Sequence, residues 1–393
     1  MQIVPPQVRE LRLAVTLSGV IALRMLGLFL ILPVFMVLAH DVPGFTPQLG
    51  GLAVGVYGLT QALLQQPFGW LSDRWGRRPV LMLGMGLFVA GGLVAAGAET
   101  MHALVWGRAL QGCGAVAGVA MAFAADFTRP EKRPLVMAII GMGIGGSFLL
   151  SMVASVPLAN VLGLHGLLLM TAVLGLIGML LVLATPRARS LPGPKEAGSI
   201  DSMKPLWLLA LSVFLLHAVM TQLFVVLPGL LVNRNGFPLA EHWKLYFPTM
   251  VISVILMLPV LRWMGKQKTE NVILPWAFAA LGVALLLLSR GFSVAWLAVM
   301  IVAYFLSFNL LEAAMPALVA RITGGGGRGR KMGLYSTFQF LGAFAGGAGG
   351  GILLGRFGGG VALSIAGTVC LAWSLVTGTL SRRLFLTSQP DGL

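Results

Sequence analysis

The chain is a succession of long apolar runs separated by short polar breaks, and that alternation limits what it can fold into. About 20 apolar residues carry a helix across the hydrocarbon core of a bilayer. The runs fall at 12–38, 49–71, 80–98, 101–125, 135–160, 163–186, 205–232, 243–264, 271–289, 293–320, 332–356 and 359–380. The breaks nearly vanish at Glu99–Thr100, Asn160–Gly163 and Phe357–Gly358. Hydrophobic residues make up 58% of the chain and charged residues only 10%, against roughly 25% charged in a soluble domain. That balance excludes a soluble enzyme and a disordered chain. The expected fold is an all-α membrane protein of twelve transmembrane helices in two six-helix halves.

The formal charge is +15. In a soluble chain such an excess points to nucleic acid, but no basic stripe with interleaved aromatics occurs outside the loops, so no nucleic-acid partner is expected. The basic residues instead gather in alternate loops, as in Arg9 and Arg12, Arg74 to Arg78, and Arg129 to Arg133. The intervening loops hold only Arg234, Lys244, Arg290 and Arg356. Positive charge marks the cytoplasmic side, so both termini are expected there. The first run is too long for the core of a signal peptide and reads as a span. Cys113 and Cys370 lie in apolar runs and form no metal or redox motif, so no metal or cofactor is expected.

A segment rich in Pro, Gly, Ser and charge interrupts the chain near its middle. It divides the sequence into a bundle at 1–190, a cytoplasmic linker at 191–204 and a second bundle at 205–393. The halves echo one another faintly, Leu71-Ser72-Asp73-Arg74-Trp75-Gly76-Arg77-Arg78 against Leu261-Arg262-Trp263-Met264-Gly265-Lys266. Two related halves with short loops are the pattern of a transporter, whose substrate site lies at the repeat interface.

Ionisable residues well inside the runs are few: Arg24, Arg108, His217 and Glu312. Such residues are costly in hydrocarbon and are functional candidates. A buried carboxylate such as Glu312 must be paired or protonated. On helical spacing Glu312 shares a face with Asn309 and Phe308, His217 with Thr221, and Arg108 with Gln111. Tyr57, Gln61 and Gln65 form a polar stripe at four-residue spacing, which either lines a cavity or bonds neighbouring helices. Tyr335 and Gln339 open the eleventh run, and ten of residues 341–360 are Gly, a composition for close helix packing. Gly69-Trp70-Leu71-Ser72-Asp73-Arg74-Trp75-Gly76-Arg77-Arg78-Pro79 follows the second run. Gly76 permits a tight turn there, and Asp126 ends the fourth run. No nucleotide-binding loop and no nucleophile motif is visible, so the chain is not expected to be an enzyme.

Residues 69–79 resemble the signature loop between spans 2 and 3 of the major facilitator superfamily. The wider chain resembles the YajR-like branch of its drug–proton antiporter families, through Leu23-Arg24-Met25-Leu26-Gly27, Gly107-Arg108-Ala109-Leu110-Gln111-Gly112, Phe308-Asn309-Leu310-Leu311-Glu312-Ala313 and Tyr335-Ser336-Thr337. The resemblance implies that Gly69, Asp73, Arg74, Gly76, Arg77 and Arg78 form a conformational switch, with Asp126 pairing Arg77. It links Arg108 of the Arg-x-x-Gln-Gly pattern to proton coupling; as ionisable residues inside the spans, Glu312 or His217 is the expected protonation site. It places spans 1, 4, 7 and 10 around a cavity, where Arg24, Tyr57, Gln61, Gln65, Gln111, Asn309, Tyr335 and Gln339 would meet substrate. Two departures stand out. The fifth-span antiporter motif carries Ser155 for glycine and its proline, Pro157, is displaced by one position; and no soluble domain follows the last span. The implied function is proton-coupled efflux of a small organic compound by alternating access, by a monomer in the bacterial inner membrane. The alternatives are proton-coupled uptake, facilitated transport of a sugar or organic anion, and a non-transporting receptor or assembly factor.

Overall fold

The computed structural model describes residues 6–185, 203–267, 270–291, 293–322 and 328–386. Among these every regular element is helical. The chain separates into two compact units, Met1–Lys195 and Glu196–Leu393. The linker expected at 191–204 lies, but for its last two residues, outside the described residues.

The first unit holds α1 (Pro6–Ile31), the short α2 (Phe35–Leu38), α3 (Pro47–Trp75), α4 (Arg77–Ala96), α5 (Met101–Gly112), α6 (Ala117–Asp126) and α7 (Arg133–Leu183). Caps fix the starts of two of these helices. Thr46 Oγ1 accepts from the Leu49 N–H at 3.2 Å and Thr100 Oγ1 from Ala103 N–H at 3.3 Å, each satisfying an orphan donor of a first turn. The apolar centre joins Leu17, Val20 and Ile21 of α1 to Leu81 and Met85 of α4 and to Val119 and Phe123 of α6.

Two runs expected to be single helices are broken. The first, 12–38, stops at Ile31 and resumes at Phe35, because Pro33 lacks the N–H that would continue the ladder. The fourth, 101–125, is interrupted at 113–116, where the N–H groups of Ala115 and Val116 bond back only two residues, to Cys113 and Gly114, at 2.8 Å each. Gly114 lies so close to the Gly84 carbonyl of α4 that a Cβ would overlap it.

The 51 residues of α7 conversely exceed one span. Before Gly163 the helix runs parallel to α1, with Ser18 bonded to the Ile139 carbonyl and Ser147 to that of Ala22. After Gly163, whose φ is 64°, it runs back along α1, with Thr171 beside Gly27 and Leu181 beside Gly19.

The second unit holds α8 (Lys204–Asn233), α9 (His242–Gln267), α10 (Glu270–Ser289), α11 (Val294–Ile322) and α12 (Arg328–Leu386). The apolar window of α8 is 83% buried against 28% for that of α9, so α8 is the enclosed helix. The 59 residues of α12 reverse at Gly358, with φ 81°. Before that turn, Gly342, Gly346 and Gly350 pack on Phe214, Ala218 and Gln222 of α8; after it, Trp373 Nε1 donates to Ser212 at 3.0 Å. The glycine density near 341–360 thus serves close approach.

Nine segments among the described residues are long and apolar enough to cross a membrane. Large apolar side chains such as Trp106, Trp276 and Leu375 face outward. The protein is an all-α, multi-spanning membrane fold.

Candidate functional site

The structure gathers the expected site residues into three clusters, two in the first unit and one in the second. The most enclosed is centred on Tyr57 of α3. The Arg24 guanidinium lies 5.6 Å from its ring centroid and that of Arg108 lies 5.1 Å away. Arg24 also stands 5.7 Å from the Phe88 ring. Arg24 is 0% and Arg108 1% exposed. Cation–π attraction favours such placements, yet it does not replace a counter-ion. Among the described residues no carboxylate comes within ion-pair distance of either arginine.

Amides knit this cluster together. Arg24 Nη2 donates to Gln61 Oε1. Arg108 donates through Nη1 to Gln111 Oε1 and through Nε to the Ala53 carbonyl at 3.4 Å. Gln111 Nε2 then donates to Thr171 Oγ1 at 2.8 Å. The glycine of the Arg-x-x-Gln-Gly pattern has a local reason: a Cβ on Gly112 would overlap the Tyr57 carbonyl and Thr60 Oγ1, so only glycine lets α5 approach α3 this closely. Gln65, one turn beyond Gln61, is buried with its Oε1 unbonded.

The second cluster lies where α3 meets α4. Gly76, at φ 95°, closes α3 with an N–H bond to the Ser72 carbonyl at 3.1 Å; this left-handed conformation suits glycine. Arg77 follows at once. Its Nη1 meets Asp73 Oδ1 at 2.6 Å and Ser72 Oγ at 2.6 Å, and its Nε meets Asp126 Oδ2 at 2.9 Å. Arg78 donates to the Leu183 carbonyl at 2.7 Å, and Arg74 stacks over Trp70 at 4.0 Å. Gly69 has no such role within the unit, since a Cβ there meets nothing within 4 Å.

The third cluster joins α8, α11 and α12. Gln339 Nε2 lies 2.8 Å from His217 Nε2 and 3.3 Å from Glu312 Oε1. His217 Nδ1 lies 3.2 Å from the Val213 carbonyl, and its Nε2 is 3.8 Å from Glu312 Oε2. An amide nitrogen only donates and a carbonyl only accepts. The network therefore assigns the imidazole proton to Nδ1 and leaves Nε2 as acceptor. Phe308 packs edge-on against the imidazole, 6.0 Å between centroids. Asn309 is not part of this set; it donates to Ser253 of α9 at 3.3 Å. Tyr335 is buried, its hydroxyl unbonded.

Four participants escaped the sequence reading: Thr171, Phe88, Ser72 and Ser253. Ser72 stood inside the signature loop and could have been found there. The other three carry no charge and offer no signal against an apolar background.

The chain is similar to known proteins over nearly its whole length. The family model described as Major Facilitator Superfamily matches residues 17–309. The chain is 35% identical to the inner membrane transport protein YajR of Escherichia coli K12 over 381 residues, 95% of this chain and 84% of the relative. It is 27% identical to the multidrug resistance protein MdtH of Aeromonas salmonicida over 348 residues, 84% of this chain and 85% of that one. In fold it is similar to the human organic anion transporter MFSD10, with TM-score 0.70 at 21% identity over 94% of this chain and 99% of the other. A POT family transporter crystallised with 5-aminolevulinic acid gives TM-score 0.78 at 14% identity, over 94% and 96%.

Proposed function

The chain belongs to the Major Facilitator Superfamily, and from that premise we propose how it works: as a proton-coupled exporter of a small organic compound, alternating access through twelve spans. It is a secondary transporter and not an enzyme. Support for twelve comes from the nine apolar segments, two of which, at 49 and 50 residues, are twice a span's length and turn at Gly163 and Gly358. The 29-residue α3, with its polar stripe, supplies the remaining one. The domains are two six-span bundles, 1–190 and 205–393, in a monomer of the bacterial inner membrane with both termini cytoplasmic, as the basic loops favour. Relatives named for multidrug resistance favour export.

The observation that carries the coupling is the placement of Gln339 between His217 and Glu312. A proton arriving at His217 Nε2 turns that atom from acceptor to donor. Gln339 must then rotate to present its oxygen, withdrawing its N–H from Glu312. Protonation of one residue is thereby felt by the other, as coupling requires. In the first unit Arg108 takes part in proton coupling, and Arg24, Tyr57, Gln61, Gln65 and Gln111 meet substrate; in the second unit Asn309, Tyr335 and Gln339 do so. The Asp73–Arg77–Asp126 set, with Arg74, Arg78, Gly69 and Gly76, is the conformational switch.

The test is transport in proteoliposomes. Glu312→Gln, which mimics a protonated carboxyl, should abolish accumulation driven by a pH gradient while leaving substrate counterflow intact. Accumulation equal to that of the wild type would remove Glu312 from the mechanism.

A further inference from the structure

The Tyr57 cluster is short of one kind of atom. Against one unbonded acceptor, Gln65 Oε1, Arg24 leaves Nε and Nη1 without a partner, Gln61 leaves Nε2, and Tyr57 leaves its hydroxyl, all buried. Each can donate a hydrogen bond, and the guanidinium and amide nitrogens can do nothing else. Two positive charges share this space, and the carboxylates of the first unit lie elsewhere: Asp73 and Asp126 on Arg77, Glu10 on Arg129, Asp41 beside His40, and Glu99 and Glu131 exposed. The surplus of donors and the surplus of positive charge have one remedy in common, an anion.

We infer that Arg24 and Arg108, with Gln61 and the Tyr57 hydroxyl, bind the anionic group of the transported compound, a carboxylate or sulfonate carried on an organic body. This rests on the transporter reading above and supplies its substrate class. Charge-assisted bonds to such a group are the strong ones, and a buried guanidinium without a partner gains most from them. Both guanidinium groups lie within 6 Å of the Tyr57 ring centroid, so two positive charges converge on one residue. Gln111 and Thr171 position Arg108 from behind.

Four compounds of one shape and different charge test the inference: benzoate, benzenesulfonate, benzyl alcohol and benzylamine. Binding of radiolabelled benzoate to the purified full chain in detergent should saturate, and benzenesulfonate should compete. Benzyl alcohol and benzylamine should not compete at the same concentrations. Arg24→Gln and Arg108→Gln should each weaken benzoate binding about tenfold or more, with the variants' elution on gel filtration unchanged. The comparison of the four compounds on the wild type needs no variant to fold. Absence of saturable benzoate binding, equal competition by all four, or unaltered binding in both variants would overturn the anion site. If benzylamine binds and is moved by a pH gradient, the anion site falls and proton-coupled transport stands. If benzoate binds but no gradient moves it, the site stands and the coupling falls.

Discussion

Arg77 Nε lies 2.9 Å from Asp126 Oδ2 and so ties the first residue of α4 to the last of α6. The pair is partly shielded, with the arginine side chain 11% and the aspartate 26% exposed. Fully exposed pairs contribute about 0–1 kcal/mol, and this one should lie at the top of that range. In a double-mutant cycle of Arg77→Gln and Asp126→Asn, followed by thermal unfolding, the double variant should lose little more than the worse single variant. Strict additivity would show that the contact carries no energy.

The turn between α3 and α4 depends on Gly76 and not on Gly69. At φ 95° a Cβ costs about 1–2 kcal/mol, so Gly76→Ala should lower the melting temperature. Gly69→Ala, in open space, should leave it unchanged. An equal loss in both would contradict this assignment.

Gln339 is expected to matter for coupling rather than for folding. Gln339→Leu keeps the volume but removes both donated bonds, to His217 and to Glu312. Accumulation driven by a pH gradient should fall about tenfold while counterflow persists. A variant that couples normally would show that His217 and Glu312 act without it.

Packing of α12 on α8 gives a stability prediction. A Cβ at Gly346 would overlap the Ala218 carbonyl, whereas at Gly349 it meets nothing within 4 Å. Gly346→Val should cost about 2 kcal/mol or more through overpacking, and Gly349→Val much less. Melting temperatures of the two variants decide the matter.

The spans were legible because twenty apolar residues in a row have few alternatives. The break at 113–116 was not. Cys113, Gly114, Ala115 and Val116 are as apolar as the helices on either side, and hydropathy does not distinguish helix from coil. Pro33 was visible, but proline is tolerated inside spans. Arg24, Arg108, His217 and Glu312 stood out because ions are scarce in hydrocarbon. Thr171, by contrast, is a common residue in a membrane helix, and its bond to Gln111 spans 60 positions of sequence. Nothing local announces such a contact. Arg24 and Arg108 could be picked out singly, but their meeting at the Tyr57 ring belongs to the fold.

The reversals at Gly163 and Gly358 bear on how the chain enters the membrane. Each joins two apolar helices through one glycine with positive φ and no polar loop, Arg356 beside Gly358 being the one charge close to either turn. During synthesis the insertion machinery therefore has no hydrophilic loop to carry across between these spans. Each pair can enter as one hairpin, with both of its ends left on the same side. Lengthening either turn with a charged epitope would present the insertion machinery with a hydrophilic segment that the natural chain does not hold there.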